Sequence, residues 1–491
     1  MKNVSRRHAL KGMGAAVAAP MLSGAARSRQ AAAEEPTIID DASRLNPTTV
    51  HRHWVVKPDQ DALFIERLRG ELKEAAAEKR PVSIAAARHT MGGQSIPKDG
   101  TAITVENIRC EPNTAGTSFL VNAGTRWHQV ISTLDPLGFS PAVMQSNSDF
   151  GVASTFCVNA HGWPVPYGPF GSTVRAIKLM VADGTILDCT RTQNSELFGL
   201  AMGGYGLLGI ILEVEAEMTE NLLLRPKFEL MPADDFARRF LSVIDSDPNV
   251  RMAYGRFNVE RRTFFKEALM ISYRPEPTPK EGLPKADRGG LLSALSRKVY
   301  RAQVGSETGK HLRWMAETVA GPHASSGIST RNSFMNEPVS NLASPDRRRT
   351  DILHEYFVPP ERFGEFLIAC REIIPARKAE FLNVTLRYVA ADDTSILAFA
   401  PTRRIAAVMS FSQEFSPQAE AEMLQMTQAL IERVIAIGGS FYLPYRLHAR
   451  GDQVERVYVK AARFVDLKLR YDPGRLFRNA MWDSYFAPSK T

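Results

Sequence analysis

The sequence predicts an α+β protein. Short strand-like runs and runs with apolar residues at helical spacing are mixed through the first part of the chain. Val174–Ala182 and Thr185–Cys189 alternate apolar and polar residues across Asp183-Gly184, a dipeptide that marks a hairpin of antiparallel strands. After Leu222 the texture changes and a second series of strands and helices begins. A chain of 491 residues has room for roughly two to three domains, and 44% apolar residues suffice for packed cores.

In chain order, Glu34–Leu45 reads as a polar arm. Asp61–Lys79 places Leu63, Ile65, Leu68, Leu72, Ala75 and Ala76 at helical spacing. Val82–Ala87, Ala102–Glu106 and Phe119–Ala123 read as strands, Trp127–Leu137 as a helix ending near Gly138. Ser195–Met202 reads as a helix and Leu208–Met218 as a strand. Gly204-Tyr205-Gly206-Leu207-Leu208-Gly209 fits G-x-G-x-x-G, but a dinucleotide fingerprint needs a strand before it and a helix after it. The order is the reverse here, so the run reads as a glycine turn. Leu222–Met231, Met252–Val259 and Ala268–Tyr273 suggest further strands. Arg274–Arg349 is rich in Pro, Lys, Gly and Arg, and reads as surface loop or lid with a helical patch at Leu291–Arg301. Thr350–Pro359, Val384–Val389, Ser395–Phe399 and Ala406–Phe411 read as strands, Glu361–Ile373 and Ala419–Ala436 as helices.

The formal net charge is +8, and Lys2, Arg6, Arg7, Lys11, Arg27 and Arg29 precede the first acid, leaving about +2 for the rest. The basic balance is therefore no argument for nucleic-acid binding. The same basic start, an apolar stretch from Gly12 to Ala26 and Ala31-Ala32-Ala33 read as a removable export signal over residues 1–33. Arg6-Arg7, flanked by Ser5 and Leu10-Lys11, looks like a twin-arginine signal with Ala9 where phenylalanine is usual. That places the mature protein in the periplasm or outside the cell. No later apolar run is long enough to span a membrane. Cys110, Cys157, Cys189 and Cys370 are widely spaced without a CxxC pair, which argues against a structural zinc site and a disulfide scaffold. No metal is expected.

Four segments carry chemistry. Arg88-His89-Thr90-Met91-Gly92-Gly93-Gln94 follows the strand-like Val82–Ala86 and forms a loop whose backbone N–H groups can approach a pyrophosphate. Asn122-Ala123-Gly124-Thr125 and Ser154-Thr155-Phe156-Cys157-Val158-Asn159-Ala160-His161-Gly162 supply small and hydroxylated residues beside glycines. Thr385-Leu386-Arg387-Tyr388-Val389-Ala390-Ala391-Asp392-Asp393 offers a cation that keeps its charge when partly buried. Gly438–Tyr445 leads on to His448, Lys468 before Asp472-Pro473, and Asn479.

Taken together these segments resemble the flavin-binding proteins of the vanillyl-alcohol oxidase family, closest in pattern to the sugar-lactone and sugar-alcohol oxidases. The family writes the first loop Gly-His-Ser-x-x-Gly-Gln, so Arg88 stands for glycine and Thr90 for serine. The 154–162 run is similar to Gly-Thr-Ile-Ser-Thr-Gly-Thr-His-Gly. The 385–393 run resembles Glu-x-Arg-x-Val-Ala-Ala-Asp-Asp, with Thr385 in place of glutamate. The resemblance implies a PCMH-type FAD-binding domain of two subdomains over residues 40–220. It implies an α+β substrate, or cap, domain with an antiparallel sheet over 221–437, and a segment over 438–491 that returns to the FAD domain.

By the same resemblance FAD is the cofactor. Arg88, His89, Thr90, Met91, Gly92, Gly93, Gln94, Gly124, Ser154, Thr155, Cys157, Asn159, His161, Gly162, Gly209, Ile210 and Asn479 are its expected contacts. His89 is the expected covalent attachment point. Cys157 is either a small buried thiol or, as in berberine-bridge-type oxidases, a second anchor; the packing role is favoured. The implied reaction is oxidation of a CH–OH carbon of a sugar, polyol or lactone-like small molecule, with hydride passing to flavin N5 and oxygen as acceptor. Arg387 and Lys468 hold charge on the reduced ring; Glu355, Tyr445 and His448 are candidates for taking the hydroxyl proton. Two alternatives stand: a dehydrogenase passing electrons to a quinone or cytochrome, and an exported non-catalytic protein that keeps the flavin fold.

Overall fold

A computed structural model of the chain describes residues 36–57, 61–279, 282–288, 297–320, 327–339 and 346–487. The expected leader at 1–33 lies outside the described residues, as does much of the expected helical patch at Leu291–Arg301.

The expected polar arm instead opens with strand β1 (Thr37–Ile39), paired antiparallel to β2 (Thr48–Val50). Strands β3 (Arg52–Val56), β4 (Val82–Ala85) and β5 (Thr101–Val105) form a parallel sheet in the order β3-β5-β4. Parallel neighbours need a crossover, and helix α1 (Asp61–Ala77) supplies it. Its Phe64, Leu68, Leu72 and Ala75 recur at helical spacing and are buried beside Val56, Val82 and Ile103.

The next sheet is six-stranded and antiparallel: β6 (Cys110–Asn113), β7 (Ser118–Asn122), β8 (Phe139–Pro141), β9 (Val174–Met180), β10 (Ile186–Thr190) and β11 (Ile210–Glu220). Its path is β10-β9-β11-β7-β6, with β8 on the far end of β11. The Asp183-Gly184 hairpin is present, with Gly184 at φ +84° and the Val181 N–H donating to the Thr185 carbonyl. Helices α2 (Trp127–Leu134), α3 (Val152–Val158) and α4 (Ser195–Ala201) bury Trp127, Phe156 and Phe198 in the core of this sheet. Pro136 and the left-handed Gly138 end α2 early, and Asp135–Leu137 tightens into a 3-10 turn.

The third sheet has eight antiparallel strands. They are β12 (Leu223–Pro232), β13 (Met252–Phe257), β14 (Glu267–Pro275), β15 (Ser329–Thr330), β16 (Arg349–Val358), β17 (Glu380–Val389), β18 (Arg404–Glu414) and β19 (Ser440–Phe441). Their order is β15-β12-β14-β13-β17-β18-β16-β19. Aromatic and aliphatic residues of α5 (Phe236–Ser246) join its core, together with the later helices.

Two expectations fail here. Ser395–Phe399 is not a strand, because the Asp392 carboxylate accepts from the Thr394 and Ser395 N–H groups and curls the chain into a turn. Arg274–Arg349 is more than loop. It holds α6 (Glu307–Met315), the edge strand β15 and α7 (Arg331–Met335). It is tied inward by Arg331, buried and donating to the Ser140 hydroxyl and to the Pro141 and Ala142 carbonyls.

Helices α8 (Phe363–Ile373) and α9 (Pro417–Ala436) bury Phe363, Phe366, Met426 and Leu430 in the eight-stranded core. Helices α10 (Gly451–Val457) and α11 (Ala461–Tyr471) follow β19. The last turns carry the chain back to β4, where the Val82 N–H donates to the Leu476 carbonyl.

Candidate functional site

A cavity of about 170 Å³ is walled by the end of β4 and the His89 loop, residues 145–151, α3, the Tyr205-Gly206 turn, strands β16, β17 and β18, and residues 442–445. Each wall has a local reason to be where it is. The loop after β4 turns through Arg88 at φ +49° and Gly93 at φ +72°. It is then clamped from both ends of the chain. Asp41 accepts from the Gly93 N–H (2.8 Å), and the Met91 N–H donates to the Pro444 carbonyl (2.9 Å). The Gln94 amide donates to the Leu443 (2.7 Å) and Tyr445 (2.9 Å) carbonyls while its oxygen accepts from Gly92 N–H (2.8 Å). Asn479 ties the Gln94 and Tyr205 carbonyls together.

His89 stacks on Phe150 with ring centroids 4.2 Å apart, and its Nε2 is buried without a partner. Burial lowers the ring below the ordinary histidine value against the pull of Asp149, so it is neutral at pH 7. Cys157 lines the same cavity, and burial pushes its thiol up to about 12.

The wall from the large sheet is made by register. Glu355 on β16 pairs with Val408 on β18, which pairs with Thr385 on β17, which pairs with Arg256 on β13. The side-chain alternation of strands then puts Glu355, Val408 and Arg387 on the cavity. Thr385 is turned to Arg256, whose Nη1 donates to its hydroxyl at 2.8 Å. Glu355 is buried. One carboxylate oxygen meets His161 Nε2 and the other accepts from the Tyr445 hydroxyl at 3.1 Å. Arg387 donates to the His161 carbonyl (3.2 Å) and the Ser146 hydroxyl (2.6 Å). Burial lowers Arg387, while Glu355 and Tyr445 act to hold its charge. Burial and the Glu355 charge push the Tyr445 phenol well above its ordinary value. A neutral phenol beside a carboxylate is a donor, not a base.

Of the residues expected to touch the cofactor, Arg88, His89, Thr90, Gln94, Ser154, Thr155, Cys157 and His161 line the cavity. Met91, Gly92, Gly93 and Asn479 instead hold the loop to its neighbours. Asn159 holds Gly171 and Asp392. Gly124 packs on Asn107 backbone, Gly162 on the Met144 carbonyl and Gly209 on the Met180 carbonyl. Ile210 starts β11 in the core beneath α1.

Of the expected catalytic residues, Arg387, Glu355 and Tyr445 are brought together. Lys468 is placed elsewhere. Its fully buried ammonium pairs with Asp472 and donates to the Phe477 carbonyl at 2.8 Å, with the Phe477 and Trp482 rings each 5.7 Å away. His448 is also away from the cavity, between the Thr427 hydroxyl (3.2 Å) and Glu420 (2.9 Å). Among the cavity residues that the sequence did not mark out for the site are Ser146, Phe150, Tyr205 and Tyr442. Tyr205 lies in the glycine turn that was noticed, and φ +54° on a tyrosine is the local strain that marks it. Ser146 and Phe150 sit in an irregular segment with no periodic signal.

Comparison with known proteins bears on the cofactor. Residues 65–190 match the family described as FAD binding domain. The chain is similar to L-gulonolactone oxidase of Mus musculus, 29% identical over 380 residues covering 74% of this chain and 80% of the relative. It is 33% identical over 107 residues to D-arabinono-1,4-lactone oxidase of Yarrowia lipolytica, covering 21% of this chain and only 20% of that oxidase. Cytokinin dehydrogenase 2 of Arabidopsis thaliana is 31% identical over 208 residues, 41% of this chain and 40% of the relative. Residues 65–190 are thus an FAD-binding domain of the PCMH type, and FAD is the cofactor.

The residues present fit that cofactor. Among the described residues, His89 Nε2, His161 Nδ1, Arg88 Nε and Arg387 Nε are buried without protein partners, polar capacity that a ligand would satisfy. Gly206, at φ +71° with nothing within 4 Å of where a Cβ would stand, keeps the wall open.

Proposed function

We propose that the protein is an FAD-dependent oxidoreductase that oxidises a CH–OH carbon of a sugar, polyol or lactone-like molecule, with oxygen as acceptor. The observation that carries this is one cavity holding His89 on one wall and the Glu355–His161–Tyr445–Arg387 group on another. Bound FAD supplies the two-electron acceptor.

The chain's own residues supply the rest. Glu355 takes the hydroxyl proton: it is the carboxylate at the cavity, and its two oxygens are already held in place by His161 and Tyr445. Tyr445, kept protonated, orients Glu355 and can donate to a substrate oxygen. Arg387 holds negative charge that develops in the cavity, in surroundings where a charge is poorly screened. The apolar wall of Leu353, Val408 and Phe150 excludes water. His89 is the attachment point for the flavin, and its neutral ring leaves a nitrogen free to bond. The leader at residues 1–33 is read as a twin-arginine export signal, which suits a protein that folds around its cofactor first.

A dehydrogenase that hands electrons to a carrier other than oxygen is the second reading, favoured by the likeness to Cytokinin dehydrogenase 2. The test is anaerobic mixing of the purified chain with lactones, aldoses, alditols and amines while the flavin absorbance is followed. Bleaching by a hydroxylated member supports the reading, and fast reoxidation by oxygen selects the oxidase. Bleaching by amines alone, or by nothing, overturns it. A yellow pellet after acid precipitation that turns colourless in His89→Ala establishes the covalent bond.

A further inference from the structure

We propose that Arg88 is the counter-charge for a pyrophosphate: it carries the phosphate end of the dinucleotide with its side chain, at a position where the family pattern has a glycine. This rests on FAD being the cofactor.

Three features of Arg88 need an explanation. Its backbone is at φ +49°, a left-handed conformation that a glycine takes freely and a side chain costs about 1 kcal/mol to enter. Its side chain is partly buried beside the cavity and, among the described residues, meets no carboxylate. Nη1 donates to the Thr104 hydroxyl (2.6 Å), Nη2 stands 3.5 Å from His53 Nε2, and Nε has no partner. His53 is held on Thr104 (2.7 Å) and is lowered by burial and by the Arg88 charge, so it stays neutral and offers no compensation. An arginine cannot shed its proton to escape such a site. A buried cation facing only neutral groups is stable when an anion arrives to pair with it.

The surroundings say which anion. Arg88 shares its stretch of wall with Ala85, Thr90 and Ser95, small or hydroxylated residues at the end of the parallel strands, and with the aliphatic Ile84. There the loop can add backbone N–H groups to the guanidinium fork, the combination that suits two linked phosphates. The acid lining the cavity lies with the other cation: Glu355 joins His161 and Tyr445 next to Arg387.

The experiment compares full-length wild type with Arg88→Gly, Arg88→Met and Arg88→Lys, produced under riboflavin limitation and titrated with ADP, adenosine, FAD and riboflavin. Arg88→Gly adopts the backbone conformation without strain and removes the unpaired charge, so it folds at least as well as wild type. The expected result is about 10- to 100-fold weaker binding of ADP and FAD in the Gly and Met variants, with adenosine and riboflavin unchanged and Lys intermediate. Flavin released by heat from the as-purified protein should appear at lower temperature in the Met variant than in the Lys variant, a readout that needs no flavin-free chain. Equal losses for all four ligands, or none, overturn the proposal. So does a variant that leaves ADP binding intact but raises KM for an acidic sugar over its neutral lactone, since Arg88 would then face a substrate carboxylate. If wild type itself binds neither FAD nor ADP, it is the cofactor assignment that fails.

Discussion

Replacing Lys468 by methionine separates two roles for that residue. Family resemblance points to the active site, whereas the structure puts its ammonium in a closed contact with Asp472 and the Phe477 carbonyl, flanked by two aromatic rings. Methionine keeps the apolar stem and removes the charge. Asp472 would remain buried, with the Leu476 and Phe477 N–H groups (2.8 Å each) as its donors but no cation. Breaking a buried pair from one side costs about 3–5 kcal/mol. With an unfolding entropy of about 2.1 cal/mol/K per residue, a unit of this size loses about 1 kcal/mol per degree, so Tm should fall by about 3–5 °C. Removing both charges in Lys468→Met/Asp472→Asn should recover most of that, short by about 1 kcal/mol for the acceptor an amide lacks. The pH dependence has a definite sign. Burial brings Lys468 down to about 8 from its unfolded value near 10.5. Between those values the unfolded chain binds more protons, so the stability advantage of wild type over Lys468→Met grows as pH rises from about 8. The assays are thermal and urea unfolding at pH 7 and 9.5, alongside kcat and KM at a temperature where both proteins are folded. Lys468→Met with an unchanged Tm and a kcat lowered a hundredfold or more would refute the structural role.

Glu355→Gln should lower kcat by about 100- to 10,000-fold with the flavin still bound, measured as the rate of anaerobic flavin bleaching. Tyr445→Phe, which only releases one carboxylate oxygen, should cost about 10-fold in the same assay. Gly162→Ala drives a Cβ to 1.9 Å from the Met144 carbonyl and should abolish soluble expression, whereas Gly206→Ala meets nothing and costs about 1 kcal/mol for its positive φ. Burial alone would raise the Glu420 carboxyl, but hydrogen bonds from His448, Arg446 and Gln413 overcome it and hold it far below its ordinary value. Its stabilising contribution is therefore complete above about pH 5 and is lost progressively below it, and Glu420→Gln should flatten the acid limb of a Tm-against-pH curve.

Local chemistry made much of this legible in advance. The α1 stripe, the Asp183-Gly184 hairpin and the strand alternation around Thr350–Pro359 depend on residues close in sequence, and each formed with ends shifted by a few residues. The His89 loop was readable because glycines and a histidine after an apolar strand are a local pattern. The misreadings share a cause. Ser395–Phe399 has strand composition, but the Asp392 side chain offers its backbone a better local partner. Lys468, which the resemblance assigns to the reduced flavin, is instead closed in by the last turns of the chain.

What the amino-acid order determined alone was therefore the α+β class, the loop carrying His89, and the residue types available for the chemistry. What the tertiary structure decided was which of them meet. Glu355 and His161 are 194 positions apart in sequence, and they touch because the cavity face of β16 meets the segment after α3; Arg387 joins them because β17 lies two strands from β16 in a sheet whose register no short-range signal encodes. Pairing across a sheet is fixed by packing of the whole face rather than by any window of sequence. That packing brings Arg387 and Tyr445 to the cavity while closing Lys468 and His448 away from it.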